Sequence, residues 1–239
     1  MAVAQKLACE VERIVPHGGG AYTLSLKPER PAPRFRAGQF LHLALDHYDP
    51  SGFWPDSRVF SIASSPLERG HLQITYAVHG KFTARMEQEL VEGREVWIKM
   101  PYGDFVIPEG STAVLLAGGT GVTAFTAFLE TLTPASPPVT LAYGARAESL
   151  LIYRELVERC AAKAPTLDVS YFVESGSTLS GPRPPIAGRV SVAAVWPRIP
   201  APAASSYYIS GPPAMLRGLA AELRARSISA EAIHVDAWE

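Results

Sequence analysis

A glycine-rich turn in the middle of the chain has the composition of a phosphate-binding site. Gly118-Gly119-Thr120-Gly121 follows a short apolar run, residues 113–117, that is typical of a strand buried on both faces. After the turn, apolar residues recur at helical spacing: Phe125, Phe128, Leu129 and Leu132. A strand, a bare turn and a helix N-terminus leave free backbone N–H groups that can receive a phosphate or pyrophosphate. The helix dipole supplies only about 0.3–1 kcal/mol at an exposed end, so a nucleotide needs further contacts elsewhere.

The same turn also fits an ordinary connection between a strand and a helix in any α/β domain. Its glycines at 118, 119 and 121 depart from the G-x-G-x-x-G spacing of the dinucleotide-binding fingerprint. No Lys followed by Ser or Thr comes after the turn, which excludes a P-loop. The interpretation of this turn therefore depends on the other stretches that accompany it.

Two further turns have a similar design. Gly80-Lys81-Phe82-Thr83 begins the one helical segment of the first half, so its N–H groups and Lys81 form a second candidate anion site. Ser210-Gly211-Pro212-Pro213-Ala214-Met215 lies where a predicted strand ends, and proline opens the next helix at its first turn. Bare strand ends of an open α/β sheet are where ligands bind. Taken singly, the first is also explained as a capped helix start and the second as a plain strand-to-helix turn.

A fourth stretch, Arg58-Val59-Phe60-Ser61, has the alternation of a strand. Arg58 and Phe60 share one face, and Val59 and Ser61 share the other. An arginine can grip a phosphate through two hydrogen bonds, Phe60 offers a flat ring for stacking, and Ser61 offers a hydroxyl. By itself this stretch also fits an ordinary strand with one surface arginine.

Residues 1–109 have the pattern of a small antiparallel barrel. Glycine, proline and aspartate separate six short segments that alternate in polarity or are apolar: residues 6–14, 21–26, 39–45, 58–63, 71–77 and 95–100. One helical piece interrupts them, with Met86 and Leu90 on a shared face and Thr83 as the predicted N-cap. We expect an antiparallel Greek-key β-barrel with one capping helix.

Residues 110–239 have the pattern of alternating strands and helices. Predicted strands cover residues 139–143, 167–173, 207–210 and 232–236, and predicted helices cover residues 148–163 and 212–226. Residues 175–185 and 197–206 have the composition of loops. Parallel strands with right-handed helical crossovers are the expected assembly, a doubly wound α/β sheet. The predicted boundary between the two domains lies at residues 108–111.

Composition excludes several classes of function. A chain of 239 residues with 47% hydrophobic residues has room for two domains, and its net charge of −1 argues against nucleic acid as a partner. No apolar run approaches the roughly 18 residues of a membrane span, and no signal-peptide pattern opens the chain. We therefore expect a cytoplasmic protein. Two cysteines are too few for an iron–sulfur or zinc site, so no metal is expected, and Cys160 is predicted to be a buried thiol.

Seven stretches, in the same order along the chain, resemble the ferredoxin–NADP reductase superfamily. They cover nearly the whole length: residues 35–40 (Phe-Arg-Ala-Gly-Gln-Phe), 58–61, 80–83, 101–105 (Pro-Tyr-Gly-Asp-Phe), 118–123, 143–146 and 210–215. Members of this superfamily pair a flavin-binding antiparallel barrel with a pyridine-nucleotide domain. The resemblance therefore implies a barrel for flavin and an α/β domain for NAD(P)H.

The resemblance also implies roles for the matched positions. Arg58 would hold the flavin phosphate, Phe60 would flank the isoalloxazine, and Ser61 would lie near its N5 atom. The implied flavin contacts are Arg58, Val59, Phe60, Ser61, Gly80, Lys81, Phe82 and Thr83. The implied NAD(P)H contacts are Gly118, Gly119, Thr120, Gly121, Val122, Thr123, Arg146, Glu174, Gly211, Pro212, Pro213 and Met215. A pyrophosphate held by residues 80–83 favours FAD over FMN, and Ser61 and Ser210 are the implied catalytic polar groups.

The chain departs from the pattern of the superfamily at two positions. Ala124 replaces the proline that usually follows the glycine turn, and Ser210 replaces the cysteine before the Gly-Pro pair. Many relatives end in an aromatic residue that covers the flavin. Here Trp238 could do so, or could be a terminal apolar anchor.

Coenzyme choice is expected to depend on the residues after the strand 167–173. Relatives that use NADPH commonly carry Ser-Arg there, whereas this chain has Glu174-Ser175. A carboxylate accepts hydrogen bonds from a ribose 2′-hydroxyl and repels a 2′-phosphate. We therefore expect NADH to be favoured, although Arg146 is near enough in the motif order to hold a phosphate. A solvated surface Glu174 is the other interpretation.

The expected function is hydride transfer from NAD(P)H to bound FAD and onward electron transfer to a protein acceptor, such as a ferredoxin or an oxygenase component. A reductase of free flavins or small acceptors is the alternative, because residues 58–65 also resemble those of bacterial NAD(P)H:flavin reductases. A non-catalytic nucleotide-binding subunit is an alternative of a different class.

Overall fold

The computed structural model describes residues 3–175 and 183–236 of the chain. The chain divides into two compact units, Met1–Val106 and Ile107–Glu239. No helix among the described residues is both long enough and apolar enough to cross a membrane.

The first unit is one antiparallel sheet of six strands. They are β1 (Gln5–Gly18), β2 (Ala21–Pro28), β3 (Phe40–Ala44), β4 (Ser57–Ser61), β5 (Leu72–Ala77) and β6 (Glu95–Tyr102), in the spatial order β4-β3-β6-β1-β2-β5. Just after the edge strand β4, the N–H of Ala63 donates to the carbonyl of Gln73 in the other edge strand, β5, at 2.8 Å, so the sheet nearly closes on itself. Strand β6 returns to lie beside β3, which makes β3–β6 a Greek key. The predicted barrel is confirmed.

The core of this unit follows from the alternation of its strands. Leu7, Cys9 and Val11 of β1 are almost fully buried, and the residues between them are more exposed. Helix α1 (Lys81–Glu89) adds Phe82 and Met86 to the same core.

Thr83 is not the N-cap of α1, as the sequence analysis predicted. The N-cap is Gly80, three residues earlier, in an extended conformation. The Thr83 hydroxyl accepts hydrogen bonds from the N–H groups of His79 and Gly80, at 2.8 and 3.1 Å. A side chain in the first turn thus reaches back to the preceding backbone, which is the other half of a capping arrangement.

The second unit is one parallel sheet of six strands with helices between them. The strands are β7 (Ala113–Gly118), β8 (Val139–Ala147), β9 (Leu167–Ser175), β10 (Ile186–Ala187), β11 (Ser206–Ser210) and β12 (Ile233–Asp236). The helices are α2 (Thr123–Thr131), α3 (Arg154–Lys163), α4 (Val192–Val195) and α5 (Pro213–Ala225). The spatial order is β10-β9-β8-β7-β11-β12. In this unit the chain therefore starts at a central strand, β7, and adds β8, β9 and β10 on one side of it. The order of strands then reverses, and β11 and β12 lie on the other side of β7. The predicted doubly wound sheet is confirmed.

Sequence periodicity missed some short elements of this unit. The predicted helix 148–163 is a 3-10 turn, Glu148–Leu150, followed by the shorter helix α3, in which Cys160 is buried as expected. Neither strand β10 nor helix α4 was predicted. β10 has only two residues, and it exists because Ile186 and Ala187 pair with β9. A pairing of that kind leaves no periodic signal in the sequence.

Candidate functional site

In the second unit, the glycine-containing turns that follow β7 and β11 lie against each other, at the point where the strand order reverses. A Cβ placed on Gly121 would lie 2.5 Å from the carbonyl oxygen of Ser210, and one placed on Gly211 would lie 3.1 Å from the backbone nitrogen of Gly118. A Cβ on Gly118 would collide with the sulfur of Met215. The two turns are therefore interlocked, with no room for a Cβ at Gly121, at the crevice where open α/β sheets bind nucleotides.

The turn after β7 is not a direct entry into an α-helix. Gly119–Val122 form a 3-10 turn, and α2 begins at Thr123, whose hydroxyl donates to the carbonyl of Thr120 at 2.8 Å. Gly119 has a φ of 56°, a conformation that glycine adopts without strain. Gly119, Thr120 and Gly121 are half-exposed, whereas Val122 and Thr123 are buried. The half-exposed backbone is the part of this turn that an anion can reach.

Ser210 is buried at the end of β11 and is tied to a residue that the sequence analysis did not select. Its hydroxyl donates to Oδ2 of Asp236 at 2.8 Å, and Asp236 is itself buried at the end of the neighbouring strand β12. Pro212 and Pro213 then start α5, as expected from the sequence. The only sequence signal for Asp236 was a carboxylate at the end of a predicted strand.

Arg146 and Glu174 lie near the ends of adjacent strands β8 and β9. The pairing of Ala145 with Val173 and of Ala147 with Ser175 places Arg146 opposite Glu174, on the same face of the sheet. The Ser175 hydroxyl donates to the carbonyl of Arg146 at 3.1 Å. The structure thus brings these predicted site residues together at the carboxyl edge of the sheet.

In the first unit, the structure brings the Arg58 strand and the Gly80 turn together. The guanidinium of Arg58 lies 5.3 Å from the ring centre of Phe82, in the first turn of α1. Arg58 is exposed and donates to the carboxylate of Asp56 at 2.9 Å, while Lys81 is also exposed. Two cations therefore stand beside a helix N-terminus whose first amides have no acceptor within the helix.

Phe60 and Ser61 are half-buried at the end of β4. The ring of Phe60 packs edge-on against Tyr76, with ring centres 6.3 Å apart. Burial, and secondarily the charge of neighbouring groups, raises the pKa of the Tyr76 phenol, which stays protonated. Ser61 pairs with Phe40 across β3, and Val59 pairs with His42 on the face opposite Phe60.

His42 belongs to an aromatic cluster on this second face of β3. Its ring lies edge-on to that of Tyr102, with centres 5.0 Å apart, and near that of Phe40. Burial lowers the pKa of His42, and the charge of Lys99 lowers it further. The imidazole is therefore held in its neutral form.

Two of the motifs that carried the resemblance support each other within the first unit. Gly38 has a φ of 92°, and a Cβ there would collide with the carbonyl oxygen of Phe105. The side-chain amide of Gln39 donates to the carbonyl of Gly103 at 3.0 Å. Residues 35–40 and 101–105 are therefore a packing pair that holds the start of β3 against the end of β6.

Trp238, the predicted aromatic cover of the flavin, lies outside the described residues. Three or more His, Cys, Asp or Glu side chains do not converge on a metal site anywhere in residues 3–175 and 183–236.

Comparison with known proteins identifies the second unit. Residues 115–221 match the family model described as the oxidoreductase NAD-binding domain. This range begins in β7 and ends within α5, so it contains both interlocked turns and the ends of β8 and β9.

Similarity to curated proteins extends over both units. A probable dihydroorotate dehydrogenase B (NAD(+)), electron transfer subunit, of Methanopyrus kandleri is 36% identical over 121 residues, which are 51% of this chain and 42% of that protein. The reductase component of propane 2-monooxygenase of Rhodococcus jostii is 27% identical over 246 residues, or 97% of this chain and 63% of that protein. The chain thus spans about half the length of these relatives.

Solved structures share the fold of the whole chain. The flavohem-like FAD/NAD-binding domain of nitric oxide dioxygenase from Vibrio cholerae superposes with a TM-score of 0.81 at 16% identity, covering 97% of this chain and 98% of that domain. At this level of identity the likeness establishes the fold, an antiparallel barrel joined to a parallel α/β sheet.

Proposed function

We propose that this chain is a member of the ferredoxin–NADP reductase superfamily and an NAD(P)H-dependent flavin oxidoreductase with bound FAD that delivers electrons to a protein acceptor. The observation that carries the proposal is the interlocking of Gly121 with Ser210 and of Gly118 with Gly211, which keeps side chains out of the crevice at the switch point.

The coenzyme site is proposed at this crevice. The half-exposed amides of Gly119–Gly121 can donate to the pyrophosphate of NAD(P)H without interference from a side chain. Gly211 and Pro212 form the opposite wall, beside which the nicotinamide is proposed to lie. A nucleotide in this position would extend along the strand ends toward Arg146 and Glu174.

FAD is proposed to bind at the first unit, through Arg58 and the first turn of α1. The guanidinium over Phe82 and the exposed Lys81 supply two positive charges beside free amides. Two phosphate contacts on separate elements suit a dinucleotide better than a single phosphate. This supports a retained FAD over a flavin that binds and leaves as a substrate.

The two serines are proposed to position polar atoms of the reacting rings. FAD, when bound, supplies the chemistry, because it accepts a hydride and can release electrons one at a time. Ser61 is proposed to hydrogen-bond the flavin near N5. Ser210 is proposed to hydrogen-bond the nicotinamide carboxamide, with its hydroxyl oriented by the buried carboxylate of Asp236. Holding both reactants in near-attack geometry contributes up to several kcal/mol.

An oxygenase component is the proposed acceptor class. The Rhodococcus jostii relative, which aligns with 97% of this chain, is the reductase component of a monooxygenase. The Methanopyrus kandleri relative is an electron transfer subunit. Both support electron delivery to another protein.

An anaerobic titration tests the proposal. The purified chain is passed through gel filtration, its absorption near ~450 nm is recorded as the mark of a retained flavin, and NADH or NADPH is added without oxygen. We expect the flavin band to remain after filtration and to bleach on addition of about one equivalent of coenzyme. Re-oxidation by candidate oxygenase components, compared with free FMN and FAD, then identifies the acceptor class.

Two results would contradict the proposal. A colourless protein that reduces added free flavin would instead support the flavin reductase alternative. A protein that binds coenzyme but never bleaches its flavin would support the non-catalytic alternative.

A further inference from the structure

Arg189, which the sequence analysis did not select, lies at the site that is expected to discriminate between NADH and NADPH. Nε of Arg189 donates to Oε2 of Glu174 at 2.9 Å. The carboxylate of Glu174 was expected to accept a hydrogen bond from the ribose 2′-hydroxyl. In the structure its charge is paired.

The backbone that carries Arg189 is held in place on both sides. Strand β10 ends at Ala187, and the N–H of Gly188 donates to the carbonyl of Val173 in β9 at 2.7 Å. On the other side, the buried Val190 packs over Gly144 of β8, where a Cβ would lie 2.6 Å from Val190 Cγ2. Gly188 has a φ of 112°, which lets the chain turn between these two anchors. The residues on both sides of Arg189 thus hold its backbone near the ends of β8 and β9.

The side chain of Arg189, in contrast, is mostly exposed. It is 83% exposed, against 39% for Glu174, and within the described residues its two terminal nitrogens have no hydrogen-bond partner. An exposed ion pair of this kind contributes little to stability, so the guanidinium can leave the carboxylate at small cost. Arg154 and Arg183 are different, because each is engaged in a better-shielded ion pair, with Glu148 and Glu158 respectively.

The Glu174–Arg189 pair lies at the same edge of the sheet as the glycine turn after β7. Because the strands are parallel, Glu174 is at the same edge of the sheet as the turn after β7, two strands away through β8. Two strand spacings are roughly 10 Å. Arg146 stands opposite Glu174 on the same face, so two cations and one anion surround the expected ribose position.

We propose that Arg189 admits a 2′-phosphorylated coenzyme, so that the Glu174–Arg189 pair allows the chain to use NADPH as well as NADH. With NADH, Glu174 accepts the 2′-hydroxyl and keeps Arg189. With NADPH, the guanidinium turns from Glu174 to the 2′-phosphate, a group of about −1.5 to −2 charge at pH 7, and Arg146 adds a second cation. The proposal rests on the proposed coenzyme site and revises the expectation that NADH is favoured.

Binding of the oxidised coenzymes tests the proposal without any reaction. Dissociation constants for NAD⁺ and NADP⁺ are measured by calorimetry on the full chain with its flavin, for the wild type and for Arg189→Ala, Arg189→Lys and Glu174→Gln. We expect the two constants of the wild type to lie within about tenfold of each other. Arg189→Ala should weaken NADP⁺ by about 10-fold to 100-fold, the range of one charge-assisted hydrogen bond, and leave NAD⁺ within twofold.

The other two variants separate charge from shape. Arg189→Lys should recover part of the NADP⁺ affinity. Glu174→Gln should tighten NADP⁺ and weaken NAD⁺, because the carboxylate repels the phosphate and is the stronger acceptor for the hydroxyl.

The Arg198–Asp168 pair provides a matched control, because Asp168 lies on the same strand as Glu174, β9. Arg198 donates to Asp168 at 2.6 Å in another exposed arginine–carboxylate pair, but at the start of β9, roughly 20 Å from Glu174. Arg198→Ala should leave both constants unchanged. Circular dichroism and melting temperature show that each variant is folded.

The outcomes are distinguishable. If the wild type binds both coenzymes but Arg189→Ala weakens both equally or neither, the role of Arg189 is overturned while the proposed function stands. If the wild type binds NAD⁺ alone, the role of Arg189 is likewise overturned. If the folded wild type binds neither coenzyme, the proposed function falls and the role of Arg189 with it.

Discussion

The backbone of Gly121 lies so close to the carbonyl of Ser210 that a single Cβ at position 121 would stand 2.5 Å from that oxygen. These residues belong to turns 89 positions apart in the chain, and the sheet brings them together because β7 and β11 are paired neighbours. The contact fixes the spacing of the two walls of the proposed coenzyme crevice.

Gly121→Ala should therefore damage both stability and coenzyme binding. Forcing a methyl group against a strand end typically costs about 1–3 kcal/mol, and the displaced turn should bind NAD(P)⁺ more weakly. Denaturant unfolding and coenzyme titration measure the two effects. Gly218→Ala is the control, because Gly218 lies within α5 with open space around its Cα, and there alanine should stabilise the helix by about 0.5–1 kcal/mol. An equally stable Gly121→Ala protein with normal coenzyme binding would contradict the importance of this contact.

Arg58→Ala should weaken the retention of FAD. Loss of a charge-assisted hydrogen bond to phosphate corresponds to about 1.5–3 kcal/mol, or roughly 10-fold to 100-fold in affinity. The flavin affinity of Arg58→Lys should lie between those of the wild type and Arg58→Ala. The flavin that remains after gel filtration, and its dissociation constant, are the measurements. Arg30→Ala removes another exposed arginine of the same unit and should retain flavin as the wild type does. A flavin affinity equal in Arg58→Ala and Arg30→Ala would rule out the phosphate role.

Ser210→Ala should separate binding of the coenzyme from its reaction. Deleting the hydroxyl removes one hydrogen bond from the buried Asp236 carboxylate, which should lower the free energy of unfolding by about 1–3 kcal/mol. We expect the rate of flavin reduction by NADH to fall roughly tenfold, the amount that one lost hydrogen bond produces, with little change in the dissociation constant of NAD⁺. Rapid-mixing absorbance without oxygen measures that rate. Ser210→Cys keeps a small polar group and should retain more of it, whereas equal rates in all three proteins would show that Ser210 only packs.

The stability of the first unit should decrease as the pH falls below about 6.5, the ordinary pKa of histidine. Burial, followed by the charge of Lys99, lowers the pKa of His42 in the folded chain. The unfolded chain then takes up a proton that the folded chain refuses, so stability is lost from about pH 6.5 down to the folded pKa. In His42→Gln the free energy of unfolding should change less over this range, and Lys99→Gln should have a smaller effect in the same direction. Unfolding curves between pH 5 and 8, about the range over which histidine changes charge, measure these slopes, and parallel curves for the wild type and His42→Gln would refute the assignment.

Much of the fold could be predicted from local patterns. Short segments of alternating polarity or of apolar residues marked the barrel strands, a fully apolar run marked β7, and the positions of the glycine turns after β7 and β11 marked the candidate coenzyme site. These signals survive in a single sequence because they depend on residues one to four positions apart, where backbone geometry sets the spacing. The N-cap of α1 was predicted wrongly, because the sequence shows only that a hydroxyl is near the start of the helix. In the structure, Thr83 supports that start from inside the first turn.

By itself, then, the sequence determined that the chain has a barrel half and an α/β half, and that three turns have the composition to receive phosphate groups. Only the tertiary structure decided which residues act together. It placed Gly121 against Ser210, joined Ser210 to Asp236, and paired Glu174 with Arg189. Each of these contacts joins strands or turns that are 15 to 89 positions apart, and their meeting follows from strand order and register, which no local periodicity encodes.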